Sequence, residues 1–69
     1  MNLAELRRAA GLTQAQVAAA MGTAQPNVSR LERGTVDEIG TATLRRYVEA
    51  VGGKLHLVAQ VGDQRAELG

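Results

Sequence analysis

Three glycines, Gly11, Gly22 and Gly34, cut the first half of the chain into segments that only brief helices joined by tight turns can fill. Each closes a stretch whose apolar residues recur at helical spacing. In the first stretch Leu3, Leu6 and Ala10 share one face, and Asn2 with Glu5 is suited to cap its start. Thr13 and Gln16 have the T-x-x-Q spacing of a capping box, so a second helix runs from there to about Met21 with Val17, Ala18 and Met21 inward. Gly22 ends it. Thr23 is the predicted N-cap of a third helix that runs to Arg33 and stops at Gly34. Pro26 falls in that helix's first turn, where its missing N–H costs little, and Thr23 is then expected to cap the N–H of Gln25.

Residues 35–40 read as a loop carrying an acidic pair, Asp37 and Glu38. Thr41 is placed to cap a fourth helix through Val51, with Leu44, Tyr47, Val48 and Val51 inward, and Gly52-Gly53 breaks it. The period then changes. Leu55, Leu57, Ala59 and Val61 alternate with Lys54, His56, Val58 and Gln60, the pattern of a β-strand. A lone strand leaves its backbone groups unpaired. The expected solution is pairing with the same strand of a second molecule across a two-fold axis, which makes Leu55, Leu57, Ala59 and Val61 dimerisation residues. A short hairpin with residues 64–68, or a strand from another protein, are the alternatives. The predicted fold is mainly α: a bundle of about four helices over residues 1–53, followed by a strand-bearing tail over 54–69.

Composition excludes several classes. There is no cysteine and one histidine, His56, so neither a disulfide framework nor a zinc site is available, and no cofactor is expected. No apolar run reaches the length of a membrane span and no signal peptide opens the chain, so the expected location is cytoplasmic. No nucleophile and base stand at plausible spacing, and Gly52-Gly53 is a helix stop rather than a phosphate loop, so an enzyme is not expected. Net charge is only +1, but the first 34 residues hold four arginines against two glutamates, whereas the remainder holds four basic residues against five acidic. Seven of the eight basic residues are arginine, whose fork suits phosphate and guanine.

With Val28 and Leu31 inward, the 100° step of a helix sets Pro26, Ser29, Arg30 and Arg33 outward, flanked by Gln25 and Asn27. An outward cluster of amides and arginines on a helix after a tight turn is the geometry of a recognition helix in a major groove. The string G-L-T-Q from Gly11, then Gly22, then Q-x-x-V-S-R-L-E-R-G from Gln25 to Gly34 resembles the lambda-repressor-like, Cro/C1-type (XRE) helix-turn-helix family over roughly residues 3–51. The segment from Thr43 through Gly52-Gly53 to Leu55 further resembles the HigA-type antitoxins of toxin–antitoxin operons.

That resemblance implies a dimeric autorepressor reading a palindromic double-stranded operator with the helix near 24–33, and neutralising a RelE/HigB-like ribonuclease toxin. A protein-interaction module, using the acidic loop and the tail, and a phage-type regulator without a toxin are the alternatives. For base readout the candidates are Gln25 on adenine, Arg30 on guanine, Asn27 and Ser29 on bases or phosphates, and Pro26 against a thymine methyl. Thr13, Gln14, Thr23 and Arg33 are candidates for the DNA backbone, with Thr13 capping its helix so that the N–H of Gln14 is free for a phosphate. Arg45 and Arg46 are candidates for phosphate or partner contacts. The family's glutamate in L-E-R-G pairs with a basic residue of the first helix, which here implies an Arg7–Glu32 pair. Relatives in that group often carry a toxin-contacting segment before the first helix; with only Met1 ahead of Asn2, a domain trimmed of toxin-binding residues is expected.

Overall fold

A computed structural model describes residues 1–69. Four α-helices, α1 (Leu3–Ala9), α2 (Gln14–Met21), α3 (Gln25–Arg33) and α4 (Thr41–Ala50), precede two strands, β1 (Val58–Val61) and β2 (Gln64–Glu67). A single 3-10 turn over Val36–Glu38 occupies the loop with the acidic pair.

Helix ends follow local chemistry. Asn2 Oδ1 accepts the Glu5 N–H, capping α1. At α2 the Thr13 hydroxyl accepts the Gln16 N–H while Gln16 Oε1 accepts the Thr13 N–H, a complete capping box. Gly22 closes α2 at φ +70, in the left-handed region that a Cβ disfavours. Its N–H bonds to the Ala19 carbonyl and the Thr23 N–H reaches back to Ala18, the two bonds of a Schellman motif. α1 and α4 close by the same pair of bonds, from Gly11 and Leu12 to Arg8 and Arg7, and from Gly52 and Gly53 to Glu49 and Val48.

That closure corrects the expected cap of α3. With the Thr23 backbone committed to ending α2, α3 starts one residue later, at the N-cap Ala24, which offers no side-chain bond. Pro26 tolerates this, because it removes one of the N–H groups a cap would serve. The Thr23 hydroxyl instead accepts from Asn27 Nδ2 at 2.7 Å. Likewise Gly40, rather than Thr41, is the N-cap of α4.

The core joins Leu3 of α1, Val17, Ala18 and Met21 of α2, Val28 of α3 and Leu44, Tyr47 and Val48 of α4. Tyr47, Val17 and Val28 are wholly buried. In α1 the inward face is not Leu3, Leu6 and Ala10. Leu6 and Ala10 are exposed, and Arg7 is buried beside Leu3.

The tail forms a hairpin within the chain. β1 and β2 pair antiparallel, with Val58 opposite Glu67, Ala59 opposite Ala66, Gln60 opposite Arg65 and Val61 opposite Gln64. Gly62 at φ +57 followed by Asp63 makes a two-residue turn with glycine first, the type II′ pattern whose twist suits a hairpin. Within the chain the strand finds its partner in β2, the hairpin given as an alternative, which takes one edge of β1 and leaves the other free. The regular strand is also shorter than predicted, starting at Val58. Leu55 lies before it, packed on the helical core, and its carbonyl accepts from Arg45 Nη1 at 3.1 Å.

Candidate nucleic-acid interface

The carboxylate of Glu32 organises the interface from inside. Its side chain is 5% exposed. Oε2 accepts from Arg7 Nε at 2.7 Å and from the Tyr47 hydroxyl at 2.6 Å. Oε1 accepts from Arg7 Nη2 at 3.1 Å and Gln14 Nε2 at 2.9 Å. These four donors fill the four lone-pair sites of one carboxylate. They come from α1, α2 and α4, so all four helices meet at this group. Arg7 Nη1 also donates to the Leu12 carbonyl at 3.0 Å, and the Tyr47 oxygen lies 3.0 Å from the Leu3 carbonyl.

The electrostatics follow. Burial pushes the Glu32 carboxyl up, but the bonds from Arg7, Tyr47 and Gln14 and the guanidinium charge outweigh it and hold the group at about 2. The same contact with Glu32, opposed by burial, raises Arg7 further. Burial, with the carboxylate beside it, pushes the Tyr47 phenol well above its ordinary value.

One consequence reaches the surface. The other end of the Gln14 amide, Oε1, accepts from Gln25 Nε2. Gln25, at the exposed first turn of α3, is therefore held in line by Gln14, which is held by Glu32. This commits the half-buried Gln14 side chain to Glu32 and Gln25, leaving its backbone for an outside contact. The N–H groups of Gln14 and Ala15 make no hydrogen bond within the chain, since Thr13 serves Gln16 and Val17.

The outer arc of α3 carries Pro26, Arg30 and Arg33 exposed, with Asn27 exposed and Ser29 half-buried at its margins. Arg30 Nη1 donates to Asn27 Oδ1 at 3.1 Å and Arg33 Nη1 to the Ser29 hydroxyl at 3.1 Å. Gln25, Pro26, Asn27, Ser29, Arg30 and Arg33 thus lie on one helix, and Thr13, Gln14 and Thr23 precede it in the chain, at the start of α2 and in the turn between α2 and α3. Arg46, expected at phosphate or a partner, donates Nη2 to the Met21 carbonyl at the end of α2. The ties among Gln25, Gln14 and Tyr47 escaped the sequence reading. Amide pairs and a buried phenol leave no periodic mark in a sequence, and only the shared demand of Glu32 for donors points to them.

The tail offers a second surface. Partners across the hairpin share a face, so Leu57, Ala59, Val61, Ala66 and Leu68 lie on one side. Near its root this side is half-covered, at Leu57 and Ala59, but Val61 is 76% and Leu68 69% exposed. On the other side His56 Nδ1 lies 2.7 Å from Glu67 Oε1 in solvent. No three histidine, aspartate or glutamate side chains gather to hold a metal ion, and no helix is long and apolar enough to cross a membrane.

A tight turn between α2 and α3, a capped α2 start and an arginine-bearing outer face on α3 define a helix-turn-helix domain. The chain belongs to that family: the helix-turn-helix domain model matches residues 1–60. Within it, the chain is 48% identical to "Putative antitoxin HigA3" of Mycobacterium tuberculosis (strain ATCC 25618 / H37Rv), over 97% of this chain and 62% of that protein. It is 45% identical to "Putative antitoxin HigA2" of the same strain, over 91% of this chain and 62% of that protein. The chain therefore spans under two thirds of the length of these curated relatives. Among solved structures, DNA-bound antitoxin HigA3 superposes with a TM-score of 0.94 at 46% identity, covering 100% of this chain and 90% of that one. A HigA antitoxin described as bending DNA through a unique dimerization superposes at 0.87 with 47% identity, covering 97% and 90%.

Proposed function

We propose that the chain is a sequence-specific DNA-binding autorepressor, the antitoxin of a type II toxin–antitoxin operon, with α3 in the major groove of a palindromic operator. The observation that carries this is the sorting of charge on α3. Its one acid, Glu32, is turned inward and met by four donors, which leaves an outer arc whose only charges are Arg30 and Arg33. A structural helix has no need of that separation; a helix that approaches phosphates does.

In this reading Gln25 meets adenine, Arg30 meets guanine, Ser29 lies at the edge of the readout, and Pro26 contributes only an apolar contact. The N–H of Gln14 and the Arg33 guanidinium grip phosphate and set register. The chain acts as a homodimer through the exposed residues of the hairpin's apolar side, Val61 beside the turn and Leu68 at the root, which presents two copies of α3 to half-sites roughly 34 Å apart. Leu57 and Ala59 flank that contact, whereas Leu55 belongs to the helical core of its own chain. The likeness to a DNA-bound antitoxin and to one that bends DNA through dimerization supports DNA binding and a homodimer. A RelE/HigB-like toxin is the further partner, and co-purification with the product of the adjoining gene tests it.

The central test is a fluorescence titration with the chain's own promoter duplex and a scrambled control at several salt concentrations. Tight binding to the promoter alone, weakening linearly in log–log form with salt, is expected. Equal binding to both duplexes rejects the operator reading and leaves the protein-interaction role.

A further inference from the structure

We propose that Asn27 is a positioning residue: with Thr23 it fixes the guanidinium of Arg30 before DNA arrives, and so sets how strictly the chain demands the base that Arg30 meets. The inference rests on the DNA-reading role of α3 proposed above, and it withdraws Asn27 from the base-reading candidates.

The relay has one consistent sense. Arginine carries only donors, so the end of the Asn27 amide facing Arg30 Nη1 at 3.1 Å must be the oxygen. The amide nitrogen then faces Thr23 Oγ1 at 2.7 Å, where a hydroxyl oxygen accepts. Each end of the amide is thus engaged, one N–H by Thr23 and one lone pair by Arg30, which orients it along the helix toward Arg30. The relay is also anchored. Thr23 is half-buried, and its N–H is bonded to the Ala18 carbonyl as part of the closure of α2. A line of bonds thus runs from the backbone of α2 through Thr23 and Asn27 to Arg30.

Arg33 offers the contrast. It is held by Ser29 at 3.1 Å, and no further side chain fixes the serine hydroxyl. Arg30 is the better anchored of the two outward arginines, and anchoring counts most where a forked contact must meet two acceptors at once. A free arginine loses many rotamers on binding, and an ordered one has lost them beforehand. With Nη1 directed at Asn27, Nη2 and Nε remain to face the O6 and N7 of a guanine.

The test compares the full chain with its Asn27→Ala, Asn27→Asp and Arg30→Ala variants, measuring relative affinities for a randomised duplex library at fixed salt. Arg30→Ala locates the base pair read by Arg30 as the position whose preference disappears. At that position Asn27→Ala is expected to reduce discrimination by about threefold to tenfold, the scale of one net hydrogen bond, with the other positions unchanged. Asn27→Asp keeps an acceptor for Arg30 and accepts a hydrogen bond from the Thr23 hydroxyl, whose O–H turns to donate. It restores discrimination there even though its charge weakens binding to every duplex. In the free protein the Arg30 Nε–H, followed by 15N relaxation, is ordered in wild type and Asn27→Asp and mobile in Asn27→Ala. Wild-type discrimination in Asn27→Ala, an equal loss at all positions, or an unrestored Asn27→Asp overturns the proposal. An unchanged profile in Arg30→Ala overturns the DNA-reading role itself. A changed profile in Arg30→Ala with an unchanged one in Asn27→Ala overturns the positioning role alone.

Discussion

Arg7→Ala removes both nitrogens that bond Glu32 and leaves a carboxylate, 5% exposed, with only Tyr47 and Gln14 as donors. It also deprives the Leu12 carbonyl of its side-chain donor. Stranding one member of a buried ion pair costs about 3–5 kcal/mol. A chain of 69 residues has roughly 3–10 kcal/mol in total, so the variant is expected to be marginal or unfolded. At about 4–8 °C per kcal/mol the melting temperature falls by at least about 12 °C. Acid gives the sharper test. In the wild type Glu32 is held at about 2, below its ordinary 4.5, so its contribution is complete above pH 4.5 and fades as the pH drops toward 2. In the variant burial is no longer opposed by Arg7, protonation relieves the buried charge, and the fold gains from acid instead. Thermal melts by circular dichroism from pH 7 to pH 4 should therefore show the gap between the two proteins narrowing. Adding Glu32→Gln to Arg7→Ala should recover part of the loss at pH 7. A melting temperature within about 2 °C of wild type at pH 7, or a gap constant with pH, would refute the central role given to this pair.

Tyr47→Phe removes one of the four donors and should cost about 1–3 kcal/mol by chemical denaturation while Glu32 keeps Arg7 and Gln14. Since the phenol of the chain's only tyrosine is raised in the fold, its tyrosinate absorbance should appear on alkaline titration only together with unfolding; ionisation of the still-folded chain near pH 10 contradicts the placement. Gly22→Ala meets no atom within 4 Å yet forces a Cβ into φ +70, so a loss of about 1–2 kcal/mol in denaturant melts should come from conformation alone. Val61→Lys should shift the chain from dimer to monomer in sedimentation equilibrium with an unchanged helical signal. Arg33→Ala should weaken binding to every duplex about equally and lower the salt slope by about one.

The helical half was legible because its signals are local. Asn2, Thr13 and Gln16 bond to backbone within a turn of themselves, and each glycine stop follows a periodic apolar run. The Arg7–Glu32 pair, 25 residues apart, was reachable only through likeness to a family, because nothing local in either segment calls for the other. The strand pattern at Leu55–Val61 announced β1 but not which of the possible partners it pairs with. β2 reads Gln-Arg-Ala-Glu, fully exposed and without an apolar alternation, so its strand character comes from backbone pairing alone. The signal that pointed to it was Gly62-Asp63, a glycine-first pair of the kind that turns a hairpin. Leu6 misled: an apolar side chain at the right spacing sits outside because the inward position next to Leu3 goes to a guanidinium.

The division of α3 into a bonded inner side and an outer arc bears on how such a chain changes its target over time. Ser29, Arg30 and Arg33 bond only to neighbours within their own helix. A mutation there alters the outer surface and leaves the packing of the four helices as it was. Gln25 is different, because through Gln14 it leans on the same carboxylate that joins those helices. On the proposed reading of α3, a lineage can therefore drift toward new operators through the middle of that helix at little risk to folding, while the base proposed for Gln25 stays tied to the fold itself.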